Sequence, residues 1–314
     1  MIDPKVVASL NVQEGPISFV GEAPGHEEAK KGTPFVGPAG YKLEQCMKQA
    51  GIQKHKVHLT NVFSQRPANN KVALFFKRRQ DLANDFKDAG YKTTLLNKIL
   101  KGEEEAPPEF KDYFIYPPYE RENKKHFLKP EFLHHLSRLR EELEVVKPNV
   151  VVALGATALW ALTGLNKIGT HRGTLIRGSL YNTKVIPTYH PSFLLQGGHE
   201  YTGVVIKDLT FAKDESSTSE LSFRDRYVNI IESLDELKEI PEASLVAVDT
   251  ETSASQIRCL TIATSDSETY AISLYDMDGN SLWTLEEEIE VWKFLKKYLE
   301  SRRCIFQNAN YDTS

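Results

Sequence analysis

Four short stretches hold the residue types from which a reactive site can be built. Gly21-Glu22-Ala23-Pro24-Gly25-His26 is followed closely by Pro34-Phe35-Val36-Gly37-Pro38-Ala39-Gly40. Glycine and proline at this density make a rigid loop whose backbone N–H groups can approach a ligand closely. A carboxylate, Glu22, and an aromatic ring, Phe35, belong to the same loop. The plainer alternative is an ordinary strand-to-helix turn. Thr60-Asn61-Val62-Phe63-Ser64-Gln65-Arg66-Pro67 offers Asn61, whose amide both donates and accepts and so can read a pyrimidine edge; capping a turn is the commoner fate of such an asparagine. Thr188-Tyr189-His190-Pro191-Ser192-Phe193-Leu194-Leu195 fixes a histidine before a proline, with a hydroxyl and apolar residues after it. A lone histidine is usually structural, but one at a strand exit is better placed for chemistry. Far along the chain, Asp249-Thr250-Glu251-Thr252 puts two carboxylates on one side of a strand, where they can share divalent ions with a third such as Asp312. A DxE on a solvent-facing strand also arises by chance.

Each stretch follows a segment able to position it. Ile17 to Val20, Val57 to Val62, Val150 to Leu154 and Lys184 to Thr188 read as buried parallel strands, with helical patterns near 40–50, 131–147 and 156–163. The alternation predicts an α/β fold with a central parallel sheet sandwiched by helices, whose chemistry lies in the loops after the strands. Further on, Leu245 to Val248, Cys259 to Thr264 and Thr269 to Leu274 read as strands, and Leu285 to Leu299 as a helix.

Length and charge divide the chain. Its 314 residues suggest two domains. Residues 1–213 carry 30 Lys and Arg against 22 Asp and Glu and hold all nine histidines, while residues 214–314 carry 9 against 21. A basic domain can track a phosphate backbone; an acidic one can hold metal ions or simply stay soluble. The polar stretch at the reversal predicts a linker over 214–222, between domains at 1–213 and 223–314. The hydrophobic share of 40% excludes disorder, and no apolar run is long enough for a membrane span. With no leader pattern either, a cytoplasmic protein is expected. Cys46, Cys259 and Cys304 lie far apart without a CxxC, which excludes a disulfide framework and predicts free buried thiols.

Taken in order, GEAPG, PFVGPAG, TNVFSQRP, VVALGATAL and TYHPSFLL resemble the uracil-DNA glycosylase superfamily, most closely its family 4, over residues 15–212. The resemblance implies an enzyme that flips uracil out of DNA and hydrolyses its N-glycosidic bond. Carried over by position, Glu22 and His190 are its catalytic residues, Glu22 in the loop that activates water or stabilises a cation and His190 against the uracil O2. Phe35 stacks on the base, Asn61 reads its edge, and Gly21 and Ala23 belong to the substrate loop. Gly25 has no side chain to block the methyl of thymine, which makes Glu28, one turn along, the candidate wall. Leu194, with Phe193 beside it, is the candidate wedge for the vacated stack, and Ser192 a phosphate contact. Two departures stand out. Family 4 members ligate an iron-sulfur cluster with four cysteines, and here Gln65 occupies one of those positions and no cysteine precedes Cys46, so no cluster is expected. The stretch 72–128 is longer than the family pattern and is either a DNA-facing insertion or a solvated charged loop.

DTET together with Asn308-Ala309-Asn310-Tyr311-Asp312 resembles the first two motifs of DnaQ-like 3′–5′ exonucleases, an RNase H-like α/β fold. Asp249, Glu251 and Asp312 would then be metal ligands, for Mg or Mn, in an incomplete site. The resemblance stops at Ser314 before a third motif, so the chain reads as the front of a longer polypeptide, as at the N-terminus of certain phage family A DNA polymerases. Three classes follow: an active, metal-independent glycosylase on uracil-containing DNA, a non-catalytic uracil- or template-binding module for a polymerase, and an exonuclease fragment.

Overall fold

Buried apolar strands alternating with amphipathic helices pack into a parallel sheet in residues 1–221, the first of two compact units, the second being 222–314. The computed structural model describes residues 2–306 apart from 12, 14, 222–224, 254, 255 and 277. In the first unit, β1 (Ile17–Gly21), β2 (His58–Asn61), β3 (Val150–Leu154) and β4 (Lys184–Thr188) lie in the order β2-β1-β3-β4, all parallel, and the short strand Ile176–Arg177 closes the edge antiparallel to β4. Every residue of the four parallel strands is buried. Both faces are covered, as a continuous apolar run requires.

Alternate strand residues sort onto the two faces. Ile17, Phe19, Leu59, Val152 and Ile186 pack with Leu43 and Met47 of α2 (Pro38–Gln49) and with Val205 and Leu209 of the C-terminal helix Thr202–Glu215. Val20, Val151, Ala153 and Val185 pack instead with Leu136, Leu139 and Leu143 of α3 (Leu133–Val146) and with α4 (Ala156–Thr163). A short helix α1 (His26–Lys31) lies between β1 and α2. Register sets the functional edge: Gly21 pairs with Asn61 and Thr188 with Leu154, so four strands end together.

Three expectations need correction. The helix Thr202–Glu215 runs two residues into the stretch read as linker, because its apolar face, Val205, Leu209 and Ala212, is anchored on the sheet. Residues 72–128 are a folded lobe rather than a loop. Helices Arg79–Asp88 and Thr93–Lys101 and an antiparallel sheet of Phe76–Arg78, Lys124–Leu128 and Tyr119–Arg121 enclose an apolar cluster of Leu82, Phe86, Leu96, Phe110 and Phe127. Of the three free thiols only Cys46 is fully buried; Cys259 and Cys304 are half-buried.

The second unit has a five-stranded mixed sheet. In chain order its strands are β5 (Tyr227–Ile231), β6 (Leu245–Ser253), β7 (Gln256–Ala263), β8 (Glu268–Ser273) and β9 (Arg303–Phe306), arranged β5-β8-β7-β6-β9. β6, β7 and β8 are antiparallel neighbours, and β9 runs parallel to β6. The helix Leu285–Glu300 packs Val291, Leu295 and Tyr298 into its core. Among the described residues no helix is long and apolar enough to cross a membrane.

Candidate functional site

The common edge of the parallel strands carries a cavity of about 270 Å³ lined by Ala23, Glu28, Phe35, Asn61, Asn70 and His190, among others. Residues separated by more than 160 positions therefore meet in one place. Gly21 makes that possible. A Cβ there would overlap Asn61 Oδ1 and come within 2.8 Å of Phe35 Cζ, so only glycine lets the ring and the amide stand this close to β1.

Phe35 is held in an unusual conformation. Its φ of 54° lies in the left-handed region, costly for a residue with a Cβ. Glu28 supplies the restraint. Its carboxylate accepts the Phe35 N–H and, at 2.5 Å, the Gly25 N–H, closing the loop on itself across α1. Gly40 provides the space, since a Cβ there would overlap the Phe35 carbonyl. Burial raises the Glu28 pKa, and the two backbone donors pull against that rise. Glu28 lines the cavity as well, but both its oxygens are engaged by the loop.

Asn61 is buried at the end of β2, and no described partner takes up its side-chain amide. Its backbone is fixed from α3. Arg138 Nη2 donates to the carbonyls of Asn61 (2.5 Å) and Val62 (3.1 Å), and Nη1 donates to Thr60 Oγ1 and pairs with Glu142. The amide is thus presented on a braced strand end, free for a ligand.

His190 sits two residues beyond β4, against Gly155, where a Cβ would come within 2.9 Å of the His190 Cβ. Gly155 itself has φ 88°. Two donors converge on His190 Nδ1: the Ser192 N–H at 3.2 Å and the Ser192 hydroxyl at 2.7 Å. Nδ1 must therefore present its lone pair, which leaves the proton on Nε2. Desolvation lowers the His190 pKa from 6.5 to about 4, so the ring is neutral and donates through Nε2. The strand end below it is tied by Thr188 Oγ1, which donates to Asp208 at 2.8 Å, and Asp208 is paired with Arg172.

Glu22 does not line the cavity as its neighbour Ala23 does; its carboxylate turns toward α4, where Thr157 Oγ1 donates to it at 2.5 Å. The Tyr119 hydroxyl lies 3.4 Å from the same Thr157 oxygen. Burial raises the Glu22 pKa; Thr157 and the charge of Arg121 oppose the rise. Tyr119 and Arg121 both come from the 72–128 lobe, which reaches the site directly.

The short helix α5 (Pro191–Leu195) corrects two expectations. Leu194 is not a wedge: it is 3% exposed and packs in the core with Leu43 and Val205. Its neighbours Phe193, 39% exposed, and Leu195, 52% exposed, point outward, and Phe193 lies against Tyr189 and Tyr201. Ser192 spends both its donors on His190 and so acts as that ring's orienter. Leu194→Ala should cost roughly 2–5 kcal/mol of stability in a urea titration, the range for emptying a core leucine, whereas Phe193→Ala should change it by about 0.5 kcal/mol or less. Equal losses would show that the helix is rotated.

In the second unit Asp249 and Glu251 are both exposed on β6, opposite the buried Val246, Val248 and Thr250. Asp312 lies outside the described residues. Sequence reasoning missed Arg138, Thr157, Asp208, Tyr119 and Arg121. Thr157 lies within VVALGATAL, where only its hydrogen bond to Glu22 singles it out; the other four act on the site or its supports from other elements, with no local motif to announce them.

The family model of the uracil DNA glycosylase superfamily matches residues 9–210. Among curated proteins the chain is similar to a type-4 uracil-DNA glycosylase of Thermotoga maritima, 31% identical over 202 residues, covering 63% of this chain and 76% of that one. A type-4 uracil-DNA glycosylase of Archaeoglobus fulgidus is 26% identical, with 60% and 71% covered. A DNA polymerase of Bacillus phage SP01 is 29% identical over 213 residues, which cover 54% of this chain and 22% of the polymerase. With a match that spans well over half of its length, the chain belongs to the uracil-DNA glycosylase superfamily.

Proposed function

We propose that residues 1–213 excise uracil from DNA by hydrolysing its N-glycosidic bond. The observation that carries this reading is the convergence of Phe35, Asn61 and His190 on one cavity. Breaking the bond builds negative charge on the departing uracil and positive charge on the sugar. His190 donates from Nε2 to the uracil O2 as that oxygen becomes anionic. Phe35 stacks on the flipped base, and the Asn61 amide pairs with its edge, repaying the unstacking cost of a few kcal/mol. Glu22, when ionised, would supply the anion near the sugar or direct the attacking water, a charge that the Thr157 hydroxyl favours and burial opposes. Glu28, by fixing Phe35, sets the width of the slot that must refuse thymine, and Phe193 and Leu195 replace Leu194 as candidates to fill the vacated stack. Uracil-containing single-stranded and duplex oligonucleotides, followed by alkaline cleavage at abasic sites, test the reading. Preferential binding without cleavage would put a uracil sensor in its place.

No iron-sulfur cluster fits this chain. Residues 1–213 hold one cysteine, Cys46, buried on α2, and the position taken by a cysteine in the resembled family is Gln65, in a strand paired with Ile2–Val6. Four thiolates cannot be gathered from one. The purified protein should be colourless and iron-free; visible absorbance that bleaches on reduction, with stoichiometric iron, would refute this.

A second reading, also proposed, takes residues 223–314 as belonging to an RNase H-like exonuclease attached to a polymerase. The order β8-β7-β6-β9 and the exposed Asp249 and Glu251 support the exonuclease part, and the likeness to the phage polymerase supports only the link to a polymerase. Mg or Mn would be bound by these two carboxylates with Asp312.

A further inference from the structure

The 72–128 lobe holds a second concavity, about 730 Å³, on the side where its hairpin tip meets its two helices. Arg78, Arg79, Lys101, Lys124 and Lys125 line it, and no carboxylate does. Composition does not explain that clustering. The segment carries eleven Lys and Arg but also ten Asp and Glu, and its acids reach two of the five cleft cations, Arg78 and Lys101. Lys124 and Lys125 are exposed, and among the described residues neither ammonium has an ion-pair partner. Arg78 is paired with Asp81 and Lys101 with Glu103, while Arg79 bonds to Asn97 within the cleft.

The cations are mounted on rigid structure. Glu122 and Asn123 both have positive φ, 53° and 57°, as in the two-residue turn that matches hairpin twist, so the pairing Arg121↔Lys124 is held in register. The same hairpin leads back to the uracil site. Tyr119 packs on Trp160 and approaches Thr157, the residue that donates to Glu22. Lys124, the cross-strand partner of Arg121, lines the cleft, and Tyr119, two residues before Arg121, reaches Thr157, so one hairpin links the cleft to the reactive edge.

We propose that this cleft binds the phosphodiester backbone of the DNA strand a few nucleotides from the base held in the cavity. The placement rests on the glycosylase reading; the phosphate contact does not. Like charges converging on a concavity repel one another when it is empty, and a polyanion relieves that repulsion while releasing its own counterions. Such contacts hold the strand without reading its sequence.

The test uses the full chain with Lys101→Gln, Lys124→Gln and Lys125→Gln combined, and fluorescence anisotropy on matched uracil- and thymine-containing oligonucleotides. Dissociation constants should rise roughly 10- to 30-fold on both DNAs at low salt, and the salt slope should become shallower by about two to three. Arginine at the same three positions should restore wild-type binding, and single-turnover excision at saturating DNA should be unchanged. Shortening the DNA on one side of the uracil to one or two nucleotides should erase the difference between wild type and variant. Unchanged affinity and slope in a variant that melts like the wild type would overturn the proposal. So would competition by inorganic tripolyphosphate that the three substitutions abolish without affecting DNA, since the cleft would then serve a free polyphosphate. If the wild type excises no uracil but the variant still loses DNA affinity, the phosphate contact stands and the glycosylase reading falls.

Discussion

Replacing His190 with alanine should lower the single-turnover rate of uracil excision by roughly 10²- to 10³-fold, the usual scale for removing one donor to a developing oxyanion. DNA affinity should change little. In the proposed reading the bond from Nε2 to the uracil O2 strengthens as the base departs, so the loss would fall on the rate. The pH dependence separates a neutral donor from a charged one. Desolvation holds the His190 pKa at about 4, below its ordinary 6.5, so the ring stays neutral on acidification through pH 6. Glu22 shifts the other way. Burial raises its pKa above the usual carboxylate value, so protonation of Glu22 sets the acid limb before His190 titrates. Glu22→Gln should remove that limb, and Ser192→Ala, which leaves Nδ1 only the backbone N–H of residue 192, should lose part of the rate by loosening the ring. An excision rate in His190→Ala equal to wild type would dismiss His190 from the chemistry, and a wild-type profile that follows an ordinary histidine would show that the ring acts charged.

Asn61→Ala should leave the uracil edge unpaired in a closed slot, a penalty of about 1–3 kcal/mol, or roughly 5- to 150-fold in kcat/KM for uracil. Phosphate-driven binding to thymine-containing DNA should persist at wild-type strength, because backbone contacts carry no base information. Gly21→Ala should reproduce the defect from behind, since its Cβ would land on the Asn61 amide and the edge of Phe35. Both variants are compared with wild type in single-turnover excision and in anisotropy. Full excision in Gly21→Ala would mean that the close approach of ring and amide has no part in recognition.

Ile17–Gly21 and Val150–Leu154 were legible as largely apolar runs ended by glycine, while His58–Asn61 and Lys184–Thr188 carry only short apolar cores between polar residues. Val150–Leu154 and Lys184–Thr188 stand as their residues predicted, and β2 is His58–Asn61 within a predicted 57–62. The sheet's edge then placed Phe35, Asn61 and His190 together, because residues after parallel strands share one end. Burial of histidine alone would not have singled out His190. His58 and His135 are also buried, with pKa values lowered to about 4 and about 3, yet they bond to Ser18 and Ser64 away from the cavity. The phase of α5 was not legible either. In Ser192-Phe193-Leu194-Leu195 every apolar residue suits either the core or solvent, and a five-residue helix has too few turns to show which. The lobe escaped for another reason: its strands are three to five residues long, and its cluster joins residues 45 positions apart, from Leu82 to Phe127.

Where that lobe enters and leaves the domain bears on how such a chain is assembled. Phe76 pairs directly with Leu128, so its two ends are cross-strand neighbours, about 5 Å apart. To the host sheet, the roughly fifty residues between them amount to a lengthened hairpin. Closure entropy grows only with the logarithm of loop length, about 0.6 kcal/mol for each doubling, and the lobe brings an apolar cluster of its own to offset that cost. Shortening that hairpin would spare the pairing of β1 to β4 but would take Tyr119 away from Trp160 and Thr157, so the lobe and the reactive edge are coupled through the core they share.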